Sequence, residues 1–318
     1  MVSKGMKGLS KIGAMLTLIL IIISFAAGYM IGANTTTPQT DGGEASWQTG
    51  SITIAGSTTV LPIVNACAIE LMKMHPGLTI TVQGGGTGVG YSNIIDGVID
   101  IGAASREPNE KEIENAKKKG VDLWLHPIAI DAICVVVHPS VANASHPLEL
   151  TLQEVGKIFA GEYTYWDEVK PGLPHKEIIV VVREPGSGTR GTFEEFTMKP
   201  WGYEVTSKAS VQPSNPAVRN KIETTPYSIG YIGYGFLSDK VYAIPIAKEQ
   251  GKPYITPTIK TITSGEYPMS RYLYLVTRGQ PESGSLVDRF IDFVRSREGQ
   301  QIVERYGYLK LPYLYPAS

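Results

Sequence analysis

The chain has 318 residues and little sulfur or imidazole with which to build reactive chemistry. Its two cysteines, Cys67 and Cys134, form no CxxC and no Cys/His cluster, which excludes a zinc knuckle or redox pair of ordinary spacing. Each sits in an apolar pattern, so two buried thiols are expected rather than a disulfide. The five histidines, His75, His126, His138, His146 and His175, make no H-x-x-x-H pair, and no carboxylate/histidine set has metal-ligand spacing. No metal and no cofactor are therefore expected. The net charge is −1, without the basic excess that a nucleic-acid surface needs. There is no G-x-x-x-x-G-K-[ST], no G-x-S-x-G around Ser187 and no histidine in a recognised triad motif, which argues against a P-loop and against a hydrolase acting on phosphoesters or acyl groups.

Lysine and arginine are also missing from a long stretch. Lys4, Lys7 and Lys11 precede an apolar run from Ala14 to Ala33, and none follows until Lys73. A run of about 20 residues can span a bilayer, and the charge asymmetry places the body outside the cytoplasm. Residues 1–33 are expected to be a membrane anchor or a cleaved signal peptide. Residues 34–50, polar and rich in Thr and Gly, read as a flexible stalk. The rest is ordinary for a folded protein, 42% hydrophobic and 19% charged, which argues against extended disorder.

What is present is one device used three times: a short apolar strand, a turn of small hydroxyl residues, and a helix start. Ile52–Ala55 leads into Gly56-Ser57-Thr58-Thr59 and a helix with Leu61, Val64, Ala68, Leu71 and Met72 at helical spacing. Leu78–Val82 leads into three glycines and Thr87. Ile178–Val182 leads through Arg183 into Gly-Ser-Gly-Thr-Arg and a helix from Gly188. Alternation of strands and helices predicts an α/β fold with largely parallel sheets, and in such sheets ligands bind beyond the carboxyl ends of the strands. Helix starts carry unpaired N–H groups and about half a unit of positive charge. Glycines allow close approach and an arginine offers a planar fork of donors, so together they make an oxyanion site. For any single serine, Ser57 or Ser187, an ordinary N-cap is the competing explanation. GGGTGVG fails the dinucleotide template because Val89 stands where a glycine is needed.

The segments AGSTTVLPI, QGGGTGVG, DIGAASREP, IFAGEYTYWDEV and REPGSGTRGTFEEF, with the tail FIDFVRSREGQQIVERYGYLKL, resemble the phosphate-binding proteins of ABC phosphate uptake systems from about Ser51 to Leu311. The resemblance implies a type II periplasmic-binding-protein fold, with two α/β lobes around a ligand cleft. Residues 51–130 plus 269–318 would form lobe one and residues 131–268 lobe two. It implies a non-enzymatic, monomeric receptor that captures inorganic phosphate and passes it to the membrane subunits of an ABC permease. The family's ligand contacts carry over to Ser57, Thr58, Thr59, Thr87, Arg183, Ser187, Gly188 and Thr189. Some members have an aspartate near the position of Ser105, to accept the hydrogen bond of the ligand's proton; this chain has Ser105-Arg106. Asp131, at the start of a crossing strand, is a candidate acceptor, with a salt-bridging role as the alternative. Arg106 is a candidate second cation, or a surface ion pair, and Arg190 either touches the ligand or pairs with a carboxylate. The Ser105 departure keeps another oxyanion, sulfate, molybdate or tungstate, as a rival ligand.

Overall fold

The computed structural model describes residues 46–312. The expected membrane segment at 1–33 and most of the stalk lie outside the described residues. The stalk ends earlier than the sequence suggests. A short 3-10 turn covers Ser46–Gln48, and Trp47 packs edge-on to His75 at 4.6 Å with the Arg289 guanidinium over its ring. One aromatic with two partners anchors the chain ahead of the first strand.

That strand, β1 (Gly50–Gly56), pairs in parallel with β2 (Leu78–Gln83) and β3 (Ile101–Ala104). Helices α1 (Leu61–Met74) and α2 (Thr87–Asp96) connect them. Pro62 falls in the first turn of α1, where its missing N–H has no intrahelical acceptor. Alternate residues of β1 serve opposite faces. Ile52 and Ile54 pack on Val64, Cys67 and Leu71 of α1, whereas Ala55 joins Tyr91, Ile94 and Ile95 of α2. The charged helix α3 (Glu110–Lys118) opens with a capping box between Asn109 and Glu112.

A second parallel group consists of β5 (Ile179–Arg183), β6 (Ser210–Gln212) and β7 (Ser228–Gly233). Its helices are α4 (Leu152–Ala160), α5 (Gly188–Thr197) and α6 (Asn215–Thr224). Phe193 of α5 stacks on Tyr231 of β7 at 4.0 Å, with Phe159 of α4 against both.

Two long strands, β4 (Leu123–Val137) and β8 (Ser270–Arg278), join the groups into one curved sheet of order β2-β1-β3-β8-β4-β7-β5-β6. Residues 123–132 of β4 pair with β8 and residues 133–137 pair with β7, so one strand passes from the first group to the second. The sequence pattern starts this strand at Asp131, eight residues too late. Trp124, His126 and Pro127 interrupt the apolar run, and Pro127 is accommodated beside a register shift opposite Leu273/Tyr274, where a ladder N–H is dispensable. Helices α7 (Leu286–Arg295) and α8 (Arg297–Arg305) then pack Phe290, Val294 and Val303 into the core under β1 and α1. Among the described residues no helix is long and apolar enough to cross a membrane.

Candidate functional site

β1, β2 and β3 run one way and β5 runs the other, because the β3–β8, β8–β4 and β4–β7 ladders are each antiparallel and β7–β5 is parallel, so the carboxyl ends of the two groups point towards each other across β8 and β4. β8 runs antiparallel to β3, with Tyr274 opposite Ala104, so Arg271 lies just beyond the carboxyl end of β3. Asp131 faces Arg271 directly across the β4–β8 ladder. The passage between the two groups thus adjoins the three turns.

Each turn is held by its own backbone and capping bonds. Ser57 N donates to Ala103 O at 2.8 Å, and Ser57 Oγ accepts from Thr59 N at 3.2 Å. Gly56 (φ 141°) approaches Ala103 so closely that a Cβ there would overlap its carbonyl oxygen. Gly86 N donates to Gly56 O at 2.9 Å, placing Thr87 at the start of α2. Ser187 Oγ accepts from Arg190 N at 3.2 Å and caps α5. Ser187 is an N-cap, as the simpler explanation had it, whereas Ser57 lies in the turn ahead of α1, whose N-cap position is Val60, and takes Thr59 N and Val60 N on its Oγ; each retains a hydroxyl proton to donate.

The turns meet across the sheet. Gly88 N donates to Gly186 O at 3.0 Å. Thr59 Oγ1 and Thr189 Oγ1 lie 3.0 Å apart, and Thr87 Oγ1 and Ser105 Oγ 3.2 Å apart. Gly188 sits against that second pair, and a Cβ on it would overlap both hydroxyls. Ser57, Thr59, Thr87, Ser105, Arg183, Ser187 and Thr189 are all buried, and Thr58 is half-buried. Arg183, 1% exposed, donates through Nη2 to Thr58 Oγ1 at 3.0 Å and through Nε and Nη2 to the Glu184 carboxylate at 2.9 and 2.8 Å. Its Nη1 is buried with no hydrogen-bond partner. Leaving a charged buried donor unmatched costs more than the roughly 1–3 kcal/mol of a neutral one, so this atom calls for an acceptor that the chain does not supply.

Three candidates have other engagements. Arg106 grips Glu112 through both terminal nitrogens at 2.6 and 2.8 Å and lies over the Tyr91 ring, in the manner of an ion pair. Arg190 pairs with Glu194 at 2.6 Å and donates to Arg183 O at 2.9 Å, which steadies Arg183 through its main chain. Asp131 takes Arg271 Nη2 and Nε on Oδ2 at 2.7 and 3.0 Å, and Tyr234 N on Oδ1 at 3.0 Å. That is the salt-bridging alternative.

Four residues outside the sequence-based set belong to the cluster. Arg271 also donates to Ser105 O at 3.0 Å and to Thr189 Oγ1 at 3.1 Å, linking β8 to the start of α5. Asn215, fully buried, donates to Thr59 Oγ1 at 2.8 Å and accepts from Gly233 N. Glu184 orients Arg183. Tyr308 donates to Thr59 O at 2.7 Å; burial, then Asp131, pushes its phenol well above the usual range, so it stays a donor. A groove of about 910 Å³, bordered by Ser187, Thr192, Arg271 and Tyr274, opens beside the cluster.

Such a constellation defines a two-part α/β binding protein for a small oxyanion, and comparison with known proteins agrees. Residues 43–298 match the family described as the PBP superfamily domain, to which the chain belongs. The phosphate-binding protein PstS of Bacillus subtilis is 33% identical over 262 residues, covering 82% of this chain and 80% of that one. The PstS of Borreliella burgdorferi is 30% identical, covering 81% and 89%. Among solved structures, a putative phosphate ABC transporter substrate-binding protein with bound phosphate, from Clostridium perfringens, superposes with a TM-score of 0.69 at 29% identity, covering 82% of this chain and all of that one. An ABC-type phosphate transport receptor from Vibrio cholerae gives 0.65 at 29% identity, with the same coverage.

Proposed function

We propose that this chain is an extracytoplasmic receptor that captures inorganic phosphate and delivers it to the membrane subunits of an ABC-type permease, without a catalytic step. The observation that carries the proposal is the unpartnered Nη1 of buried Arg183, set among hydroxyls and helix starts from both halves of the sheet. A tetrahedral oxyanion supplies the missing acceptor and meets the starts of α1, α2 and α5 together. Two relatives named phosphate-binding protein PstS and a structure described with bound phosphate support phosphate as that anion.

The site residues are Ser57, Thr58, Thr59, Thr87, Ser105, Arg183, Ser187, Gly188 and Thr189. Residues 51–130 plus 269–318 act as one lobe and 131–268 as the other, with the passage of β4 near Asp131 as the hinge. The lobes close because the ligand contacts both in the closed form and only one when open. The protein works as a monomer on the outer side of the membrane, held or exported by residues 1–33.

Equilibrium dialysis of the refolded protein against labelled phosphate tests this. One phosphate retained per chain in the wild type, and little in Arg183→Ala, is expected; equal retention by both would move the site elsewhere. Displacement by molybdate or tungstate in preference to phosphate would assign the same fold and site to a different oxyanion.

A further inference from the structure

We propose that Ser105 Oγ, rather than a carboxylate, accepts the hydrogen bond from the proton of the bound phosphate. The inference rests on the phosphate-binding function proposed above. Phosphate near neutral pH keeps at least one proton, and the site must offer that proton an acceptor. A buried carboxylate would do so and would exclude sulfate, which has no proton to give.

The three carboxylates near the cluster are already spoken for, Glu112 by both terminal nitrogens of Arg106. Asp131 takes two donors from Arg271 and one from Tyr234 N, about three of its four acceptor positions. Arg271 Nη2 bonds both Asp131 Oδ2 and Thr189 Oγ1, so its charge stands between that carboxylate and the hydroxyls. Glu184 holds Nε and Nη2 of Arg183 with its two oxygens.

The hydroxyls differ in what they have left. Each has one proton and two lone pairs. Thr58 accepts from Arg183, Thr189 from Arg271 and Thr59 from Asn215. A charged donor on the oxygen makes Thr58 and Thr189 better donors and poorer acceptors. Thr87 Oγ1 accepts from Ser105 N at 3.1 Å, which leaves it one lone pair. If Thr87 then donates to Ser105, Ser105 keeps one lone pair and its own proton. If Ser105 donates to Thr87, Ser105 keeps both lone pairs and Thr87 has the free proton. In either setting Ser105 Oγ has acceptor capacity, no arginine or amide donor is aimed at it, and it lies against Gly188 at the start of α5.

A hydroxyl, unlike a carboxylate, can turn and donate instead. The site therefore tolerates sulfate by reversing Ser105, and its discrimination is modest. The test is competition of sulfate against labelled phosphate on the full chain, the Ser105→Ala variant and the Asp131→Asn variant. Sulfate is expected to displace phosphate from the wild type with an affinity within about a hundredfold of phosphate's, well short of the roughly 10⁴-fold exclusion given by a site whose buried polar groups the wrong ligand leaves unpaired. Asp131→Asn is expected to weaken both anions in proportion. Ser105→Ala is expected to weaken phosphate about tenfold or more. Sulfate silent at ten-thousandfold excess would overturn the proposal, as would phosphate binding unchanged by Ser105→Ala or a collapse of the phosphate-to-sulfate ratio in Asp131→Asn. Failure of the wild type to bind phosphate at all would instead remove the functional reading beneath it.

Discussion

Among single residues, two buried arginines differ in how far they are engaged. Arg183 has one nitrogen, Nη1, without a partner, while each nitrogen of Arg271 is engaged by Asp131, Ser105 or Thr189. Arg183→Ala is expected to cost about 3 kcal/mol of phosphate affinity or more, with little loss of fold stability beyond the freed Glu184; calorimetry and thermal unfolding separate the two. Arg271→Ala should do the opposite first. It strands the Asp131 charge in the interior, which costs about 3–5 kcal/mol of stability, readable in a denaturant titration, and Arg271→Ala with Asp131→Asn should recover much of it. Arg183 was legible in the sequence because it sits inside a local strand–turn–helix pattern with Ser187 and Thr189. Arg271 and Asn215 were not, because the partners that tie them to Asp131, Ser105, Thr189 and Thr59 lie 82 to 166 residues away in the chain and no local signal connects them. The two thiols were legible as buried: both are free, and burial pushes Cys67 up to about 12 and Cys134 well above its ordinary value. Neither should react with a thiol reagent until the protein unfolds.

At the element scale, the close approach of α5 to Thr87 and Ser105 depends on Gly188 having no side chain. Gly188→Val is expected to hold the two halves apart and reduce phosphate affinity severely, with helix α5 itself intact; circular dichroism alongside the titration checks both. The helices follow apolar periodicity, and α5 also its Ser187 cap, so they were readable. The early half of β4 was not, since its pairing with β8 is a tertiary fact that overrides a broken apolar run. That hidden half carries His126, whose Nε2 meets Thr277 Oγ1 at 2.9 Å. Burial and, less strongly, Arg295 push its imidazole down to about 4, against an opposing effect of Asp288. The folded state therefore holds fewer protons at this position than the unfolded chain between about pH 6.5 and 4. Stability should fall as pH is lowered through that window, and His126→Gln should flatten the fall in a pH series of unfolding midpoints.

Across the whole molecule, the hydroxyl and arginine cluster exists only where two parallel groups of strands, joined by β4 and β8, bring their carboxyl ends together. Each group alone has helix starts with unpaired N–H groups; neither alone has Thr59 opposite Thr189 or Arg183 opposite Thr58. The sequence could indicate the three turns and, through resemblance, their convergence. It could not indicate that Asp131 is committed to Arg271, because a carboxylate at a strand crossing looks the same whether it faces a ligand or a cation. The most direct test of the central claim is calorimetric titration with inorganic phosphate, after unfolding and refolding to strip any carried-over anion. Saturable one-to-one binding in the wild type, lost in Arg183→Ala, is expected. Absence of binding in a protein whose refolding is verified by circular dichroism would contradict the account, leaving the buried cluster as a structural device that joins the two halves of the sheet.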